Sequence, residues 1–495
     1  MRPAPDCSLC FSSGVLLKAF SERKTLLLTI LTMVAILSPG SLSFAEGGVS
    51  GVFNVREFGA KGDGQTLDTE AIEKAIAACA QAGGGQVLLP PGQYLSGTVR
   101  LRSNMTLKLD AGARLAGSSD LAQYRNPERP KQMPESVRWD GPWNRALLLL
   151  ENVENVTIVG EGVVDGRKVL DPNGEEKMRG PHAIVIVGCR GVTLRDFEIL
   201  DAANYGVLMW HCERVGIRDL EITGGWDGVH FREGRDISIV GCRFFTGDDS
   251  IAGRDWHDVL ISGCVVNSSC NGIRLIGPAE NLIIHDCLFY GPGKQPHRTS
   301  NRHNMLAAIN LQPGAWEKTE GRFDNVLISD ITVQNTQTPL HVCLRPGNSG
   351  GRLEVNRLTA TGTYGCAVSV ESWDEKPLEN VVLRGLNLEF AGGEERPANP
   401  ASVSQPSLDA RKLPVWGFYG RNIRNLRLTD VRFSTEKPDP RSVGFLEAVD
   451  RLTLDAVRYP VGEGGTEPFV LEKVKDIQIY DPNPSNLPKR EPWAM

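Results

Sequence analysis

Asp227, Asp248 and Asp249 are the residues through which this sequence can do chemistry, because they fall in short phrases that recur at a fixed interval. In register the phrases are Asn204-Tyr205-Gly206-Val207, Trp226-Asp227-Gly228-Val229, Asp248-Asp249-Ser250-Ile251 and Cys270-Asn271-Gly272-Ile273. From Tyr205 to Asp227, Asp249 and Asn271 each step is 22 residues, and Pro181-His182-Ala183-Ile184 lies 23 residues before the first. A period of this size on strand-type residues marks a solenoid, in which residues one period apart stack at about 4.8 Å. The three carboxylates must then share one site. So crowded, they cannot all ionise cheaply, and one protonated acid beside an ionised base is the pair that glycosidic hydrolysis requires. Asp-Asp pairs also occur in solvated turns and as calcium ligands; the third aspartate in register favours the acid/base reading.

Around the acids the same register supplies further candidates. With Val207, Val229, Ile251 and Ile273 inward, the outward positions are Leu208, His230, Ala252 and Arg274, then Trp210, Arg232, Arg254 and Ile276. His230, Arg232, Arg254 and Arg274 form a cationic patch suited to a uronate, or to ion pairs with neighbouring carboxylates. Trp226, Trp256 and Tyr205 can stack on sugar faces or simply pack, and Asn271 completes the substrate-binding set one coil after Asp249. His297 and His303 read as solvated loop histidines. No cofactor and no metal is called for.

The elements that must hold these residues are short strands. A two-part phrase, one polar residue followed by alternating aliphatics, runs from Asn155-Val156-Thr157-Ile158 to Asp476-Ile477-Gln478-Ile479. Between Val192 and Leu282 its steps are 23, 22, 22 and 23 residues. With about three strands per coil this describes an all-β chain, a right-handed parallel β-helix. Before it, Ala71, Ile72, Ala75, Ile76 and Cys79 share one helical face, with Asp68 or Thr69 as N-cap and Gly83-Gly84-Gly85 as the stop. An amphipathic helix there caps the open end of the solenoid. Polar or Pro/Gly-rich insertions at 171–180, 291–304, 314–322 and 392–414 are expected to wall a groove.

The boundaries expected are a signal peptide at 1–45, a cap and first coils at 46–110, a catalytic β-helix at 111–485 and a tail at 486–495. The leader rests on the apolar run from Thr25 to Leu37 behind Arg23 and Lys24, followed by Ser43-Phe44-Ala45. It implies a secreted or periplasmic protein with no membrane contact after cleavage. A net charge of -6 without a basic block does not suggest a nucleic-acid partner, and none is expected; a poly- or oligosaccharide and a monomeric state are expected. Of eleven cysteines, Cys7 and Cys10 precede the cleavage point, and Cys242, Cys264 and Cys287 share one column, as free core thiols.

On the Asn54 to Gly59 and Gly62-Asp63-Gly64 segment, the Gly83 to Gly92 turn, Asp227-Gly228-Val229 and Gly247-Asp248-Asp249-Ser250-Ile251, the chain resembles glycoside hydrolase family 28, the polygalacturonase group. The resemblance implies an inverting hydrolase with Asp248 as general acid and Asp227 and Asp249 activating water, the carboxyls about 6.5 to 9.5 Å apart. Three positions depart from the polygalacturonases: Gly225-Trp226-Asp227 for Asn-Thr-Asp, Cys270-Asn271-Gly272 for Gly-His-Gly, and Ile309-Asn310-Leu311-Gln312 for Arg-x-Lys. Rhamnogalacturonan hydrolases share the Gly-Gly-x-Asp-Gly pattern and lack that histidine, which points to a mixed pectic chain over plain homogalacturonan. A β-helix polysaccharide lyase, with Arg274 as base and usually calcium, and a non-catalytic carbohydrate-binding β-helix are the alternatives.

Overall fold

The computed structural model describes residues 51–129, 142–393, 403–460 and 467–480; the leader and the 486–495 tail lie outside them. Among the described residues there are 34 strands, joined in one sheet system. Every strand pairing is parallel, and each strand pairs with its counterpart one coil away. This is the parallel β-helix that the 22-residue period requires. Val207 pairs with Val229, Val229 with Ile251, and Ile251 with Ile273, so the expected register is the observed one.

Its stability follows from stacking like on like. Val215, Ile237, Val259, Leu282 and Val326 form one inward column, and Ile217, Ile239, Ile261, Ile284 and Ile328 another, all almost free of solvent. Each such side chain contributes about 1.5–3 kcal/mol on burial. Corners are turned by residues with positive φ in columns of their own: His211, Glu233 and Asp255 at one, Arg214, Asp236, Asp258, Asn281 and Asn325 at the next. Asn and Asp tolerate that conformation and bond one another along the column, Asn281 Nδ2 to Asp258 Oδ1 at 2.7 Å and Asn325 Nδ2 to Asn281 Oδ1 at 2.8 Å.

The helix α1, Thr69–Gln81, buries Ile72, Ala75, Ile76 and Cys79 against the first coil. Asp68 stands at its N-cap but does not cap it: the carboxylate accepts the backbone N–H groups of Lys61 and Gly62 at 2.7 and 2.9 Å, tying the preceding glycine turn to the helix. All nine cysteines from Cys79 to Cys366 carry free thiols, eight of them buried. Among the described residues no helix is long and apolar enough to cross a membrane.

Candidate active site

Six strands carry the site: β1 (Val207–Trp210), β2 (Val229–Val240), β3 (Ile251–Ser262), β4 (Asn271–Leu275), β5 (Ala307–Leu311) and β6 (Thr338–Leu344). Asp227 sits in the turn entering β2 and Asp248-Asp249 in the turn entering β3, so one coil step brings all three together. One oxygen from each lies within 4.8 Å of the others.

The three differ in what holds them. Asp249 Oδ1 accepts the Asn271 backbone N–H at 2.9 Å and its Nδ2 at 2.8 Å. Asp227 Oδ2 lies 2.7 Å from His230 Nδ1. His230 Nε2 accepts from Arg232 Nε at 3.1 Å, so its proton is on Nδ1, directed at Asp227. Burial, with Arg232 beside it, holds the His230 pKa well below the ordinary value, and the ring stays neutral. Asp248 Oδ1 accepts the neighbouring backbone N–H of Asp249 at 3.1 Å, and the Cys270 thiol is a further hydrogen-bond partner of the carboxyl. Its Oδ2 has Arg179 Nη2 at 4.0 Å and His297 Nε2 at 3.7 Å.

Burial, then the charges of Asp248 and Asp249, push Asp227 well up. Burial and Asp249 push Asp248 up to about 6. The trio therefore keeps a proton near neutrality as a unit. Asp227 and Asp249 each receive a side-chain N–H, from His230 and Asn271, whereas among the described residues no side-chain N–H lies within hydrogen-bond distance of Asp248. It is also the most open of the three, with 18% of its side chain exposed against 7% for Asp227 and 9% for Asp249.

Several expected roles change. Trp226 has no accessible surface: it lies beneath the Arg179 and Arg298 guanidiniums, 5.2 and 5.1 Å from its ring, and donates Nε1–H to Glu176. It cannot stack on a sugar. Tyr205 is 7% exposed and stacks on His230, rings parallel within 3° and 4.8 Å apart. Its face is spent on the imidazole, and His230 and Arg232 are likewise spent on holding Asp227. Trp256 is buried in the core against Phe231. Asn271 braces Asp249. Arg254 pairs with Glu317, and Arg274 with Asp409 at 3.0 Å and Asp249 at 3.8 Å. Two cations of the patch, Arg254 and Arg274, are thus paired with carboxylates, while Arg232 lies against His230 and the Trp210 ring.

The partners that sequence reading missed come from the four insertions. The 171–180 loop brings Glu176 and Arg179, the 291–304 loop His297 and Arg302, and the 314–322 loop Trp316 and Glu317; Asp409 and Arg411 arrive from 403–414. Trp316 is 60% exposed with the Arg274 guanidinium 5.6 Å from its ring, an open aromatic at the rim. His297 reaches the acid cluster and is no free loop histidine; His303 instead ties its own loop, Nδ1 to Gly293 O at 2.6 Å. The only advance signal was a tryptophan or histidine inside a Gly/Pro-rich insertion. Among the described residues two groups could approach a metal, the aspartate trio and Asp248 with Cys270 and His297.

A family profile described as "Rhamnogalacturonase A/epimerase, pectate lyase-like" matches residues 52–274. An exo-poly-alpha-D-galacturonosidase of Dickeya chrysanthemi is 28% identical over 40% of this chain, and the match spans 41% of that enzyme's length. An exopolygalacturonase of Platanus acerifolia is 23% identical over 74% of this chain and 97% of its own. The family 28 exopolygalacturonase structure of Yersinia enterocolitica superposes with a TM-score of 0.54 at 18% identity, covering 87% of this chain and 79% of that one. The chain is thus similar over residues 52–274 to the pectate-lyase-like family and more widely to polygalacturonases, and it shares the parallel β-helix fold of the family 28 exopolygalacturonase structure.

Proposed function

We propose that this protein is a pectin-degrading glycoside hydrolase that cleaves its substrate with inversion. The names of its relatives support the substrate class, and one observation carries the mechanism: three aspartates meet at the coil turns, two of them held by side-chain N–H donors and the third, the most open, pushed up to about 6. Asp248 gives its proton to the leaving sugar oxygen as the glycosidic C–O bond breaks. Water attacks the anomeric carbon from the opposite face and passes its proton to Asp227 or Asp249, so charge and atoms balance.

The departures at Cys270-Asn271-Gly272 and Ile309-Asn310-Leu311-Gln312 favour a mixed pectic chain. Asn310 Oδ1, Gln312 Oε1 and His341 Nε2 are buried without a protein partner, and burial pushes His341 down to about 4, which keeps it neutral. The nearby cations are engaged, Arg274 by Asp409, Arg345 by Pro406 O and Arg411 by Glu371. Cations so engaged are not available to a second substrate carboxylate. A lyase is disfavoured because Asp249 and Asp409 outweigh burial and raise the Arg274 pKa, so it gives up no proton. Export through the 1–45 leader belongs to the same reading, and the exported protein should begin near Glu46.

Purified protein incubated with homogalacturonan and with rhamnogalacturonan, followed by product analysis and by NMR of the newly formed anomer, tests the proposal. Release of saturated products with inverted configuration is expected. Unsaturated products, or tight binding without any product, would overturn it.

A further inference from the structure

We propose that His297 is a positioning residue for Asp248, its Nε2–H aimed at Oδ2 so as to close onto the carboxylate that forms when Asp248 gives up its proton. The inference rests on the acid role proposed above for Asp248.

The tautomer follows from the loop. His297 Nδ1 accepts the Ser300 backbone N–H at 3.2 Å, with Ser300 Oγ at 2.9 Å and Thr299 Oγ1 at 3.3 Å. A backbone N–H can only donate, so the Nδ1 lone pair is used and the neutral ring carries its hydrogen on Nε2. That nitrogen faces Asp248 Oδ2 at 3.7 Å, a few tenths of an ångström beyond a hydrogen bond. Catalytic hydrogen bonds are often long before substrate binds and tighten afterwards.

The loop holds the ring in place. His297 N donates to Arg302 O and Asn301 N to His297 O, each at 2.8 Å. Arg302 Nη2 reaches Cys270 Sγ at 3.1 Å, and Ser269 Oγ bonds to Gln295 O. Around His297 stand Arg302, Arg179, Asp249 and Glu176; around Asp248 stand Asp227, Asp249, Arg179, Arg274 and Cys270. Burial and Arg302 lower the His297 pKa and keep the ring neutral. A neutral donor leaves the Asp248 proton in place in the resting enzyme, and gains strength only as charge develops on the carboxylate.

A metal held by Asp248, Cys270 and His297 is the competing use of the same atoms, which lie within 4.8 Å of one another. It would need the Nε2 lone pair, and the Ser300 N–H on Nδ1 removes it.

The test compares wild type, His297→Ala and His297→Gln by 13C NMR titration of the Asp248 carboxyl without substrate, and by pH profiles of kcat and KM on the pectic polymer. Losing a donor to the carboxylate raises the Asp248 pKa, so the Ala variant should titrate about half a unit or more higher, with its alkaline activity limb moved up equally. Its kcat should fall roughly tenfold to a hundredfold with KM little changed, and Gln should restore part of both effects. An unchanged Asp248 titration in a folded Ala variant overturns the proposal. So does a wild-type 15N spectrum with the ring hydrogen on Nδ1, a measurement that needs no variant to fold. If wild type cleaves no glycan, the hydrolase reading fails while the carboxyl titration still decides the role of His297.

Discussion

Asp248 concentrates the consequences that belong to single residues. With its pKa near 6, activity should be lost as pH rises through about 6, since the proton donor is then ionised. The same shift bears on stability. A carboxyl whose folded pKa lies above the unfolded 3.8 stabilises the fold fully below that value and loses the contribution as pH climbs through 6, a difference on the order of 3 kcal/mol. Asp248→Asn should therefore lower kcat by roughly 10²–10⁴-fold and raise the Tm at pH 7 above wild type. Differential scanning calorimetry at pH 4 and pH 7 checks the second effect, since the gain should shrink at pH 4. His230→Ala should cost about 10–100-fold in kcat with little change in KM, because it leaves Asp227 without its donor; a rise in KM alone would return His230 to direct substrate contact. The aspartates were legible in advance because Asp227 and Asp249 share a column. The misreadings of Trp226 and Tyr205 have one cause: the register says which way a side chain leaves the coil but not what arrives to cover it.

Single coils tolerate little at the scale of the element, because each rung lies one strand spacing from the next. Gly253 in β3 has φ of +146°, and an added Cβ would lie 1.8 Å from Phe231 O in the coil before. Gly253→Ala should thus destabilise by more than the ordinary cost of about 1 kcal/mol for a misplaced backbone residue and displace Arg254 and Ala252. A lowered denaturant midpoint, with activity falling in parallel, is the expected result; an unchanged midpoint would mean that the coil can spread. Elements of this kind were readable without coordinates. The face of α1 and the columns of Val, Ile and Leu follow from spacing alone, whereas the role of Asp68 did not, because a residue before a helix can bond backward to a turn as well as forward to the helix.

The whole molecule is a regular stack fitted with irregular loops, and the division sets what was foreseeable. The loops carry no period, so Glu176, Arg179, His297, Glu317 and Asp409 could be placed at the groove but not onto named partners. Together they leave little open floor. Trp143 and Met178 cover an apolar cluster of Val185, Leu208 and Trp210 on the side before the acids, and 403–414 reaches back to Arg274, Gln312 and Arg345 on the other. A trough closed on both sides favours attack near a chain end. Reducing ends should then accumulate while polymer viscosity falls slowly, and early products should be short; a rapid viscosity drop at low conversion would point to internal cleavage.

Each rung is secured only by the two beside it. The first is sealed by α1, which buries Ile72, Ala75, Ile76 and Cys79 there. Prising that helix away should thus start a fraying front that travels rung by rung toward the aspartates, so that hydrogen exchange quickens at this margin long before catalysis is touched.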